Sequence, residues 1–149
     1  MGNLAREVAA IVEDMPYQVS NLANISAHIF AETEGLNWAG FYLMRDGKLV
    51  LGPFQGKVAC FEIEIGKGVC GTAVERDETI VVDDVHVFDG HIACDSESNS
   101  EIVVPIHSEG KIVGVLDIDS TEYGRFGKEE KETMEAVAEV IEAHFSEWR

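Results

Sequence analysis

The stretch Glu101-Ile102-Val103-Val104-Pro105-Ile106-His107-Ser108-Glu109-Gly110-Lys111-Ile112-Val113-Gly114-Val115-Leu116-Asp117-Ile118-Asp119 alternates apolar and polar residues on either side of a turn signal at Glu109-Gly110. That period of two marks a pair of antiparallel strands. On the first strand Ile102, Val104 and Ile106 project to one side and Glu101, Val103 and His107 to the other. On the second, Ile112, Leu116 and Ile118 oppose Val113, Val115, Asp117 and Asp119. Matching the two wholly apolar faces puts Glu101 on the side of Asp117 and Asp119, which stand roughly 7 Å apart along their strand. A regular two-residue turn would instead set Glu101 opposite Ile118, on the wrong face. The pattern therefore predicts an odd-numbered loop or a bulge, with Pro105, which cannot donate to a ladder, marking an irregular or edge position.

Outward from this hairpin the same period predicts strands over 38–44, 48–54, 60–65 and 79–82, with Asp46-Gly47 as a second hairpin turn. Helical spacing takes over at both ends. Leu4, Val8, Ile11, Val12 and Met15 form one apolar stripe stopped by Pro16; Leu22, Ile25, Ile29 and Phe30 form another within 19–34. Met134, Val137, Ala138, Ile141, Phe145 and Trp148 repeat the pattern after an acidic first turn at Glu129 and Glu130. Residues 68–76 read as a short helix between strands, and 83–100 as a long polar loop of the kind that carries function. The expectation is one α+β domain over residues 1–149: a central, mainly antiparallel six-stranded sheet with the N- and C-terminal helices packed on one face.

A chain of 149 residues can bury roughly 70% of its unfolded surface, so it needs neither disulfide nor metal to fold. With 28 acidic against 11 basic residues, a net charge of −17 argues against a phosphate backbone as partner. No apolar run approaches the length of about 18 residues that a membrane span needs, and the N-terminus lacks the basic and apolar segments of a signal peptide. A cytoplasmic, reducing setting is expected, in which clustered cysteines serve catalysis or metal binding more often than structure.

The three cysteines, Cys60, Cys70 and Cys94, all fall in one central stretch. An odd number cannot be consumed by internal disulfides alone. Cys70 sits near the start of the short helix, a position that tends to lower a thiol's pKa. Cys94 lies seven residues before Glu101, so the loop can bring its thiol to the acid face. Three acids on one face raise one another's pKa and leave a proton available, which suits general acid chemistry or a cationic ligand group. Trp38 and Tyr42 share a face opposite Phe41, either as core aromatics or as a wall that receives an apolar or thioether group. His86 and His91 accompany Cys94, but a zinc site would lack C-x-x-C spacing and need Cys60 or Cys70 as a further ligand, so no metal is expected. The glycines of 66–71 lack the spacing of a phosphate loop.

Taken together, residues 37–43, 51–56, 66–72, 90–96, 100–105 and 114–120 resemble the free methionine-R-sulfoxide reductases, small proteins of the GAF fold. The resemblance implies that Cys94 is the catalytic cysteine and that Cys60 or Cys70 resolves it. It also implies that Glu101, Asp117 and Asp119 bind the substrate, with Trp38 and Tyr42 walling its methyl group. The implied substrate is the free amino acid, the implied reductant thioredoxin, the implied assembly a homodimer, and no cofactor is involved. The rival expectation is a GAF-type sensor that binds a small ligand without catalysis, which gives no reason for three clustered cysteines.

Overall fold

The computed structural model describes residues 3–90 and 97–149. In chain order the elements are α1 (Asn3–Val12), α2 (Gln18–Glu32), β1 (Leu36–Arg45), β2 (Lys48–Gly56), β3 (Glu62–Ile63), α3 (Gly68–Arg76), β4 (Ile80–Val82), β5 (Ser100–Ser108), β6 (Lys111–Ser120) and α4 (Lys128–His144). Short 3₁₀ turns follow β4 at Val85–Val87 and α4 at Phe145–Glu147. The sheet runs β3-β2-β1-β6-β5-β4, every pairing antiparallel.

Each face of the sheet has its own core. Leu4, Val8, Leu22, Ile25, Ile29, Met134, Val137 and Ile141 from α1, α2 and α4 pack on Phe41, Ile102, Val104, Leu116 and Ile118. This is the apolar face of the hairpin pattern, and the terminal helices cover it as expected. Full burial of side chains of this size contributes about 1.5–3 kcal/mol each. The opposite face gathers Trp38, Tyr42, Leu49, Ile63, Val103 and Val115 under Val69, Cys70 and Ala73 of α3.

The β5–β6 hairpin contains the required irregularity. Its turn is a two-residue one, with Ser108 paired to Lys111 and positive φ at both Glu109 (53°) and Gly110 (78°), as a type I′ connection demands. The register then shifts: His107 pairs with Ile112 but Ile106 with Gly114, leaving Val113 as the extra residue. That single insertion restores Glu101 to a position opposite Asp119.

The extra residue is Val113, and Pro105, which pairs regularly with Val115, takes the edge position expected of it: β4 covers only Glu101 to Val103, so Pro105 stands past its end where no donor is needed on that side. Other local expectations are corrected. Because the bulge reverses the facing, Val113 packs with the terminal helices instead of with the acids. His107 is likewise outside the acid group, held at the sheet margin by Asp77 and Glu142. The strand expected over 60–65 contracts to Glu62–Ile63, because β2 pairs with it only at Leu49 and Val50. Cys60 consequently precedes the strand in irregular chain. Among the described residues no helix is long and apolar enough to cross a membrane.

Candidate active site

The site sits on the α3 side of the sheet, at the centre where β1, β6 and β5 lie next to one another. Asp119 is flanked across the ladders by Trp38 on β1 and Glu101 on β5; Asp117 is flanked by Gly40 and Val103. The three carboxylates are nearly removed from water, with 9%, 5% and 9% of the surface of Glu101, Asp117 and Asp119 exposed. Burying three acids side by side costs folding free energy, which is common at functional positions.

Their protons follow from the geometry. Burial pushes Glu101 well above the usual carboxylate range, and the charges of Asp117 and Asp119 push it further; it hydrogen-bonds to both. Burial also raises Asp117, while hydrogen bonds from Glu101, the Cys70 thiol and Asp119 pull it back. Two carboxyl groups can hydrogen-bond only through a shared proton, so the cluster favours a neutral acid, and of Glu101 and Asp117 it is Glu101 that is driven harder toward it. Among the described residues, Oδ1 of Asp117 is buried without a hydrogen-bond partner.

Cys70 lies in the first turn of α3, whose start is fixed by Gly68 donating its N–H to the Gly90 carbonyl at 3.1 Å. The thiol is buried against the acids, and burial followed by the charges of Asp117, Glu101 and Asp119 raises its pKa well above the ordinary value. This reverses the expectation of a helix-activated thiolate. The helix N-terminus is outweighed by desolvation and three nearby carboxyl groups.

Trp38 and Tyr42 stack at 5.9 Å between ring centroids, and Phe54 adds a third ring 5.0 Å from Trp38. Phe54 reaches Trp38 across Gly40, where a Cβ would stand 2.3 Å from that of Phe54. The wall also grips the chain beside it: Trp38 Nε1 donates to the Lys57 carbonyl at 3.2 Å and the Tyr42 hydroxyl to the Cys60 carbonyl at 2.8 Å. Burial, Asp117 and the Cys70 thiol raise the Tyr42 phenol, so it stays protonated and donating. Cys60 itself is disulfide-bonded and half-buried, whereas Cys70 is a free thiol.

Cys94 and His91 lie outside the described residues. His86 is engaged by Asp84 at 2.9 Å. The one group among the described residues whose donor atoms could meet on a metal ion is Cys70, Glu101 and Asp117, all within 4.8 Å of one another. Burial raises the pKa of all three, which disfavours the deprotonated forms a metal ion needs. Two contributors were not singled out from the sequence. Phe54 is visible only as a strand end within the resembling stretch 51–56, with no role assigned, and Ser98 only as a polar loop residue, although its hydroxyl accepts from Asn37 Nδ2 at 3.0 Å.

A family model described as GAF domain matches residues 8–145. The free methionine-R-sulfoxide reductase of Escherichia coli (strain K12) is 50% identical over 140 residues, covering 94% of this chain and 85% of that protein. Among solved structures, a putative GAF sensor protein from Burkholderia vietnamiensis superposes with a TM-score of 0.95 at 47% identity, over 98% of this chain and 94% of that one. The free methionine-R-sulfoxide reductase from Neisseria meningitidis in complex with its substrate gives 0.93 at 41% identity, over 97% and 87%. With half of its residues shared across nearly the whole length of a curated relative, the chain belongs to the free methionine-R-sulfoxide reductases, a family built on the GAF domain.

Proposed function

We infer that this protein reduces free L-methionine-R-sulfoxide to L-methionine, acting as one catalytic domain over residues 1–149 in the cytoplasm, as a homodimer recycled by thioredoxin. The observation that carries the reading is the burial of Glu101, Asp117 and Asp119 together on one sheet face beside the stacked rings of Trp38 and Tyr42, an environment that pushes Glu101 toward its neutral form. It offers a proton, a place for an ammonium and an apolar wall for a thioether in one pocket.

In this mechanism the substrate ammonium lies against Asp117 and Asp119, and its methyl group against Trp38 and Tyr42. The Cys94 thiolate attacks the sulfoxide sulfur as Glu101 protonates the oxygen; the oxygen passes to Cys94 as a sulfenic acid and methionine leaves. A second thiol condenses with the sulfenic acid, releasing water and forming a disulfide. The disulfide state of Cys60 and the buried, proton-retaining state of Cys70 favour Cys60 as that resolving thiol. A peptide-bound sulfoxide has no ammonium to offer the buried carboxylates, and leaving them unpaired disfavours it.

Turnover of the free R-sulfoxide in a thioredoxin-coupled assay, against the S epimer and a peptide-bound sulfoxide, tests the reading. Methionine should form from the free R epimer only, and Cys94→Ser should abolish it. Undiminished turnover by Cys94→Ser, or equal turnover of the peptide, would overturn it.

A further inference from the structure

The disulfide-bonded Cys60 is half-buried in the chain between β2 and β3, and its neighbours are exposed apolar side chains: Val58 at 89% and Phe61 at 74%. Exposed side chains of this size beside a redox-active sulfur are a contact surface in want of a partner. Two links fix the backbone that carries them, from Trp38 Nε1 to Lys57 and from Tyr42 to Cys60, and Leu51 donates its N–H to the Phe61 carbonyl at 3.0 Å. The pair is therefore presented by a tethered segment, so little ordering would be lost on docking.

Charge at this place also differs from the rest of the molecule. The chain as a whole carries −17. Beside the segment, Lys57 pairs with Glu97 at 2.7 Å and Lys48 with Glu62 at 3.1 Å, so basic and acidic groups are matched. A macromolecular partner approaching here meets an apolar, locally balanced surface instead of a negative field.

We propose that Val58 and Phe61 form the docking surface for the protein dithiol that re-reduces the enzyme, thioredoxin in the reading above, on which this inference rests. With the partner seated, one of its thiolates attacks Cys60 Sγ. The enzyme's S–S bond breaks, its electron pair stays on the other enzyme sulfur, and that sulfur takes up a proton. The partner's second thiol then attacks the mixed disulfide and releases Cys60 as a thiol. Two electrons and two protons have passed to the enzyme, and the partner departs as a disulfide. A small dithiol performs the same exchange without needing the surface.

The test is a Val58→Ser/Phe61→Ser double variant, assayed with the free R-sulfoxide and either thioredoxin or dithiothreitol as reductant. Both positions are exposed enough that the fold should be unaffected, which circular dichroism checks. The KM for thioredoxin should rise about tenfold, while the dithiothreitol-driven rate and the KM for the sulfoxide stay unchanged; Val58→Ile/Phe61→Leu should restore thioredoxin use. An unchanged KM for thioredoxin, or an equal loss with both reductants, would overturn the docking surface. Absence of methionine formation by the wild type with either reductant would instead defeat the functional reading itself.

Discussion

The phenol of Tyr42 donates a 2.8 Å hydrogen bond to the backbone carbonyl of Cys60, joining the stacked aromatic rings to the segment that carries the disulfide-bonded cysteine. The wall is therefore more than a surface for the substrate. Tyr42→Phe keeps the ring and removes only this link, so the KM for the sulfoxide should stay within about twofold. Closure of the disulfide should slow roughly fivefold, the equivalent of one hydrogen bond of about 1 kcal/mol. Rapid-quench trapping with dimedone reports it as a longer-lived sulfenic acid; an unchanged lifetime would leave Tyr42 with a packing role alone.

The acid trio sets function against stability. A carboxyl whose folded-state pKa is raised holds more protons in the native state than in the unfolded one. It therefore costs stability progressively as pH climbs from the unfolded value, about 4, through the raised folded value. Asp117 and Glu101 are both of this kind, and the buried Oδ1 of Asp117 adds an unmet acceptor. Asp117→Asn should raise the melting temperature at pH 8 by a few degrees and raise it less at pH 4, while the affinity for the free amino acid falls at least tenfold. A variant that melts lower at pH 8 than the wild type would show that the trio stabilises the fold.

Cys60 and Cys70 differ in what their surroundings allow. Cys70 is fully enclosed beside Asp117, and its raised pKa leaves it almost no thiolate, whereas Cys60 is half-buried in irregular chain. Thiol exchange needs thiolate character and access. Cys60→Ser should thus stall after about one turnover with thioredoxin. Cys70→Ser should go on cycling, with its change confined to a several-fold higher KM from the altered neighbour of Asp117. Methionine release per enzyme, followed through the first seconds, separates the two. Sustained cycling by Cys60→Ser would transfer the resolving role to Cys70.

The hairpin made much of this legible in advance, because a period-two pattern with one wholly apolar face fixes which residues lie together once the register is known. Glu101 opposite Asp119 required a one-residue irregularity, and the structure supplies it. What the pattern could not choose was which strand carries the extra residue, since a bulge on either one returns Glu101 to the acid face, opposite Asp117 if on β5 and opposite Asp119 if on β6; the observed pairing places it at Val113 on β6. Cys70 was misread for a related reason. Its place in the first turn of α3 is local and visible, but the carboxyls that reverse its titration come from β5 and β6, at least 31 residues away in sequence. Phe54 was hidden likewise, since its reach to Trp38 depends on the space left by Gly40 on another strand.

The displacement of His107 from the acid face gives a separate, pH-dependent contact. Its Nδ1 meets Glu142 of α4 at 2.8 Å and its Nε2 meets Asp77, the residue that caps α3, at 2.6 Å. The hydrogen bond to Glu142 and the pairing with Asp77 raise its pKa against a smaller opposing effect of burial. The stability from a raised histidine is fully present below the unfolded value of about 6.5 and is lost as pH rises through the raised folded value. His107→Asn should therefore melt lower than the wild type near pH 5.5, with the gap narrowing toward pH 9. The side chain is 42% exposed, so solvent screening limits the effect to about 1 kcal/mol or less. Thermal melts of both proteins across that range check it. A gap that stays constant with pH would assign His107 a packing contribution with no part for its charge.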